Sequence, residues 1–128
     1  MEIKIGATGN ADILVDESNT AMAIGSGDLA VFATPAMIAL MEKAATLAIQ
    51  GCLPEGNSTV GTMINVKHIA ATPVGMKIAA QATLVEVEGK RLLFSVEVFD
   101  GKDKIGEGQH ERFIINVEKF MARTNGKI

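Results

Sequence analysis

The sequence predicts an α+β fold, with one long helix packed against a single antiparallel sheet. Three observations lead there. The run Pro35 to Gln50 is apolar at almost every position. From Asn57 onward, apolar and polar residues alternate with a period of two. Short turn signals (Thr72-Pro73-Val74-Gly75, Gly89-Lys90 and Asp100-Gly101) divide that second part into strand-length pieces. Strands joined by tight turns, with helix segregated from them in sequence, mark this class. No repeat or low-complexity linker interrupts the 128 residues, so one domain, 1–128, is expected.

Each element follows from local chemistry. Ala11 to Val15 and Ala21 to Ile24 read as short strands around the turn-rich Asp16-Glu17-Ser18-Asn19. Thr34-Pro35 reads as a helix opening, with Thr at the N-cap and Pro at the first helical position. The helix then runs to Gln50, with Gly51 as a stop. A helix apolar almost all round belongs inside something. One sheet covers one side of it, so a second copy of the chain is the expected cover for the rest. In the strand after Asn57, parity puts Val60, Ile64 and Val66 on one face and Thr59, Asn65 and Lys67 on the other. Met76 to Glu88, Arg91 to Phe99 and Lys104 to Val117 complete an antiparallel meander of four long strands. Gly89-Lys90 suits a type II′ hairpin turn, and Glu118 to Arg123 suits a final short helix.

Composition excludes several functions. With 12 basic and 15 acidic residues, a net charge of −3 and neither Trp nor Tyr, the chain lacks the basic, aromatic-lined stripe of a nucleic-acid binder. Its most apolar window, Leu29 to Met41, is too short to span a bilayer. Cys52 is the only cysteine, and Met1 to Asn10 lacks signal-peptide pattern, so a reducing, cytoplasmic setting is expected.

The chemistry-bearing candidates are few. Glu42 sits mid-helix among Leu40, Met41, Ala44 and Ala45, where a carboxylate loses hydration; the alternative is a wet strip shared with Lys43 and Gln50. His68 falls by parity on the face of Ile64 and Val66, where it serves either as a satisfied core histidine or as an acid/base partner of Glu42. Thr34 is an N-cap that also stands at the positive end of the helix, where the N–H groups of Ala36 and Met37 are candidate oxyanion donors. Gly61 interrupts a strand, as a bulge or as space for a ligand. His110 and Arg112 share one face of the last strand; with Glu107 and Glu111 nearby, that face reads as solvent-exposed. No metal-ligand spacing or phosphate loop is present in the sequence.

These residues carry a resemblance. The run Ala33 to Val117, with the phrase from His68 through Thr72-Pro73-Val74-Gly75 to Met76, resembles the hotdog-fold thioesterases. More narrowly it is similar to the fluoroacetyl-CoA thioesterase-like group, which spaces a Thr, a Glu eight residues later and a His twenty-six residues after that. Thr34, Glu42 and His68 stand at those spacings, and the group's pocket Gly and late Arg fall on Gly61 and Arg112. The resemblance implies a long helix wrapped by an antiparallel sheet. It further implies homodimers, or tetramers built from them, with active sites at the interface, and hydrolysis of acyl-CoA without metal or redox cofactor. Thr34, Glu42 and His68 would be catalytic. Glu42 would attack the carbonyl or activate a water, Thr34 and the helix N–H groups would stabilise the oxyanion, and His68 would assist loss of the thiolate. Gly61, Arg112, Phe32, Ala36 and Met37 would line the substrate, and Lys90, Arg91 and Arg112 are candidates for the CoA phosphates.

One departure bears on substrate. The group gates its pocket with aromatics just before the helix; here that stretch is Ile24-Gly25-Ser26-Gly27-Asp28-Leu29, with Phe32 the only aromatic nearby. A short acyl-CoA other than fluoroacetyl-CoA is therefore the expected substrate. Two other readings of the same fold are an acyl-thioester dehydratase and a non-catalytic acyl-CoA-binding or sensing module.

Overall fold

The computed structural model describes residues 2–128. Strand β1 (Thr8–Leu14) leads through a 3-10 turn (Glu17–Asn19) and a four-residue helix, α1 (Ala21–Ile24), to the long helix α2 (Thr34–Ala48). Strands β2 (Asn57–His68), β3 (Lys77–Glu88), β4 (Arg91–Phe99) and β5 (Lys104–Asn116) follow, then helix α3 (Val117–Asn125).

The sheet is antiparallel with strand order β1-β3-β4-β5-β2. Only β3-β4-β5 is a meander. The expected four-strand meander fails at its first step: β2 pairs with β5 at one edge, and Ile69 to Met76 carry the chain to the far side of the sheet. Gly89 has φ +60 and no non-glycine residue among the described residues has positive φ, so Lys90 excludes a type I′ turn and the type II′ expectation stands.

Helix α2 lies across β1, β3 and β4 and buries Met37, Leu40, Met41, Ala44, Ala45 and Ala48. These meet Ile78, Leu84, Leu92, Phe94, Val96, Val98 and Ile105 from the sheet. Each large apolar side chain so buried contributes about 1.5–3 kcal/mol. Small residues bring β1 in tightly: a Cβ at Gly9 would stand 2.1 Å from the Ala44 carbonyl oxygen, so only glycine fits there. The opposite strip of α2, through Pro35, Ala39, Lys43, Thr46 and Gln50, is exposed.

Ala21–Ile24 is helical rather than extended. Thr20 caps it by accepting from the Ala23 N–H, and Gly25 ends it in the left-handed region at φ +86. Capping chemistry at both ends outweighs the strand preference of Ile24.

Strand β2 carries a bulge that parity counting misses. Gly61 pairs with Arg112 but Met63 pairs with Glu111, so Thr62 is the extra residue. Beyond the bulge, Ile64, Val66 and His68 face the helix, as expected. Before it, Thr59 and Gly61 do, and Val60 turns away; the expected grouping of Val60 with Ile64 is overturned. On the outer surface the Thr62 hydroxyl donates to the Glu111 carboxylate at 2.7 Å, and Arg91 pairs with both Glu111 and Glu86. These bonds hold the Glu111 carboxyl below its usual range and fix the bulge from outside.

Candidate active site

The site begins where α2 begins. Backbone bonds set the start: Phe32 N–H donates to Thr72 O and Ala33 N–H to Asn19 O, both at 2.9 Å. Ala33 is the N-cap residue, in extended conformation and without a side-chain cap. The helix therefore begins at Thr34, one residue earlier than the sequence suggests, and the Thr34 hydroxyl is free for another task. It lies 2.8 Å from Nδ1 of His68, the last residue of β2. Burial pushes the His68 imidazole below its ordinary range, which favours the neutral ring at pH 7. Its Nε2 is buried without a hydrogen-bond partner among the described residues.

The donors at this helix end sort themselves. The Met37 N–H is spent on the Ala33 carbonyl at 3.0 Å, so the expected oxyanion role for Met37 fails; its side chain is fully buried. Pro35 has no N–H. The Ala36 N–H is free of protein partners among the described residues and remains available. Thr34 and His68 also border a cavity of about 320 Å³, lined further by Phe32, Ile69, Ala21 and Ser26.

Glu42 stands two helical turns further on, about 12 Å along the axis. Its side chain is 40% exposed and lies on the flank of the wet strip, so the deeply buried carboxylate is corrected. No hydrogen bond or ion pair joins it to His68 among the described residues. Its partner is Arg112, whose Nη1 is 3.7 Å from Oε1. Gly61 makes this approach possible: a Cβ there would sit 2.8 Å from Glu42 Oε1, 3.2 Å from His110 Cε1 and 3.4 Å from Arg112 Nη1. Gly61 adjoins the bulge, as one of its two readings expects, and the room its missing Cβ leaves is bordered by Glu42, His110 and Arg112.

Arg112 and His110 are buried against the helix side of the sheet, not exposed to solvent. The solvent reading fails because each is satisfied by partners far away in sequence. Arg112 Nε donates to Thr59 Oγ1 at 2.9 Å and Nη2 to Thr59 O at 3.0 Å. His110 Nδ1 is 2.9 Å from Met63 O, and its Nε2 is 3.2 Å from Arg112 Nη1. Burial works against the Arg112 charge, and Glu42 offsets part of that. Arg91, a candidate for the CoA phosphates, is engaged by two carboxylates on the outer face, whereas Lys90 is exposed in the β3-β4 turn.

Residues 15–118 match the family model FlK, fluoroacetyl-CoA-specific thioesterase. The chain belongs to this family. It is 46% identical over 97 residues to the fluoroacetyl-CoA thioesterase of Streptantibioticus cattleyicolor, covering 76% of this chain and 70% of that one. Its fold matches the solved fluoroacetyl-CoA thioesterase FlK with TM-score 0.93 and 36% identity, covering 100% of this chain and 99% of that one. It also matches a thioesterase superfamily member from Thermus thermophilus, with TM-score 0.89 and 28% identity over 96% and 91% of the two chains. The architecture is thus the hotdog fold expected from the resemblance, and the chain is a thioesterase-family enzyme. No helix among the described residues is long and apolar enough to cross a membrane. Nor does any cluster of three His, Cys, Asp or Glu side chains among them have the arrangement of a metal site.

The sequence pointed to Thr34, Glu42, His68, Gly61 and Arg112, and the structure divides them into two groups: Thr34 with His68, and Glu42 with Gly61 and Arg112. Two further residues belong to the second group against expectation: Thr59, which parity puts outward, and His110, which reads with Arg112 as solvent-facing. Only the bulge places Thr59 inward, and a bulge at Thr62 has no composition signal of its own. For His110 there was a signal, its shared parity with Arg112.

Proposed function

We propose that this chain hydrolyses a short-chain acyl-CoA thioester to the free acid and CoA. The supporting observation is the Thr34–His68 hydrogen bond at the opening of α2, beside a free Ala36 N–H and a cavity of about 320 Å³. A thioester carbonyl resting there meets the Thr34 hydroxyl and the Ala36 N–H as its oxygen gains charge. The one Thr34 proton then goes to that oxygen, so His68, protonated on Nδ1, donates to Thr34 Oγ1 and polarises the hydroxyl. Glu42 supplies the carboxylate, either attacking the carbonyl or activating water. The thioester C–S bond breaks and CoA leaves as the thiol; the acyl carbon gains its new oxygen either from water directly or from the Glu42 carboxylate, which water attacking the Glu42 carbonyl then restores. Binding of acetyl-CoA by a variant of the FlK enzyme, a relative with TM-score 0.92 and 37% identity, supports the substrate class.

About 12 Å of helix separates Thr34 from Glu42, too far for both to serve one carbonyl carbon. A homodimer resolves this. The outer edge of β2 ends the sheet of the single chain, and we propose that two such edges pair about a two-fold axis, so that Glu42 of one protomer serves Thr34 and His68 of the other. The enzyme then works as a cytoplasmic homodimer with no metal or redox cofactor. Arg112 and Gly61 shape the Glu42 side of the cleft, and Phe32 closes the acyl end. The stretch Ile24 to Leu29 lacks an aromatic gate, which favours a short acyl group other than fluoroacetyl.

The test is thiol release from a panel of acyl-CoAs of increasing chain length, with fluoroacetyl-CoA included. Turnover that peaks at two- to four-carbon acyl groups supports the reading. Tight binding without thiol release would make the chain a binding module, and an enoyl product would make it a dehydratase.

A further inference from the structure

His110 takes no part in the chemistry above, yet it is fully buried, lies against Arg112 and borders the gap at Gly61. Met63 O can only accept, so the His110 nitrogen 2.9 Å away, Nδ1, must carry the proton. Burial favours the neutral ring, which leaves a lone pair on Nε2. That lone pair faces Nη1 of Arg112 at 3.2 Å. The guanidinium is therefore gripped at three points: Nε and Nη2 by Thr59, Nη1 by His110. The planar fork leaves Nη1 one further N–H, on the side of Glu42 Oε1. Phe94, stacked on the imidazole at 6.3 Å between ring centres, fixes the ring plane.

We infer that His110 is a positioning residue, whose Nδ1-protonated ring anchors to Met63 and holds the Arg112 guanidinium against Glu42 across the gap at Gly61. It acts through Arg112 and touches no substrate. A ring that merely filled space would need no acceptor aimed at Arg112, and leucine or phenylalanine would serve there. The inference rests on the assignment of Glu42 to the hydrolytic reaction, but its geometric content does not.

Three variants of the full-length enzyme test it, with acetyl-CoA as probe. His110→Asn keeps a donor for Met63 O but cannot reach Arg112; His110→Gln restores an acceptor near the Nε2 position; His110→Phe keeps the ring and loses both bonds. In His110→Asn we expect kcat to fall about tenfold with KM within about twofold, the loss of one hydrogen bond to a charged group. His110→Gln recovers most of that loss and His110→Phe does not. In an Arg112→Lys background, His110→Asn costs less than about twofold further, because the residue it acts through is already altered.

Wild-type kcat in a folded His110→Asn enzyme overturns the inference, as does an undiminished tenfold loss in the Arg112→Lys background. Nitrogen-15 NMR of the wild-type imidazole provides a reading independent of turnover and of whether variants fold. A proton on Nδ1 is expected, and a proton on Nε2 overturns the inference. If the wild type released no thiol from any acyl-CoA, the hydrolytic reading would fall, while the NMR measurement would still decide the His110 geometry.

Discussion

Glu42 and Gly61 face each other across a gap that no side chain fills, and a single methyl group at Gly61 would come within 2.8 Å of Glu42 Oε1. The carboxylate end is flexible, so it would move rather than the backbone. Gly61 does not lie in the left-handed region, and alanine is unstrained there. The same methyl would stand 3.2 Å from Cε1 of the anchored His110 ring, so Gly61→Ala should leave the melting temperature equal or slightly lower. Thiol release should nevertheless fall by about tenfold or more, because about 1 Å of misplacement is costly in a reacting group. Calorimetry and a thiol assay on the same preparation check both halves; a strongly destabilised but fully active variant would contradict the geometry.

Glu42→Gln keeps shape and removes the charge. We expect kcat to drop at least about a hundredfold with little change in acyl-CoA binding. Single-turnover reaction of the wild type in heavy-oxygen water distinguishes direct attack, which labels the Glu42 carboxylate, from activation of water, which does not.

At the other end of the cleft, Thr34→Val removes the hydroxyl that meets His68 Nδ1 while keeping β-branched shape. The N-cap residue is Ala33, so helix stability should hardly change. A fall in kcat of about a hundredfold is expected from the loss of an oxyanion donor. Thr34→Ser should retain much of the activity. Equal activity in Thr34→Val and wild type would remove the hydroxyl from the chemistry.

If one cleft draws on two protomers, inactive variants should complement each other. Glu42→Gln and His68→Ala homodimers are each expected to be inactive. Mixed dimers made by co-expression should contain one cleft with both lesions and one with neither, and recover up to about half of wild-type activity per mixed dimer. No recovery in verified mixed dimers would place each whole site within one chain.

Both histidines also predict the acid response of the fold. Burial pushes His68 and His110 below their ordinary value of about 6.5. The unfolded chain therefore binds protons at a higher pH than the folded one, and stability must decline as pH falls below about 6.5 toward the lower folded values. Arg112 and Glu42 face His110 with opposite effects, and Arg112 opposes protonation. Melting temperature should fall as pH is lowered through this window, and less steeply in His110→Gln. A pH-independent difference between the two proteins would contradict the burial argument.

How far the sequence reveals this structure depends on the range of the forces involved. The opening of α2, the hairpin at Gly89-Lys90 and the period-two strands are set by neighbours in sequence, and all appear near their expected places. Ala21–Ile24 was misread because four residues carry too little periodicity to outweigh the caps at Thr20 and Gly25. The pairing of β2 with β5 depends on contacts about fifty residues apart, as does the burial of Arg112 by Thr59. A guanidinium reads as solvent-exposed until its partners are known, because burial is unfavourable without them. Glu42 and His68 could be singled out as unusual, but their separation along one chain is a matter of three dimensions.

The extra residue at Thr62 works like a phase shift in a repeating signal. Upstream of it the odd-numbered positions of β2 look at the helix, and downstream the even-numbered ones do. Deleting one residue there would restore perfect alternation, yet it would rotate Thr59 and Gly61 to the outside and strand Arg112 without its clamp. Anyone grafting a cleft between relatives of this enzyme must therefore keep the residue count on each side of the slip, since a half-strand correct in sequence but out of phase would present the wrong face.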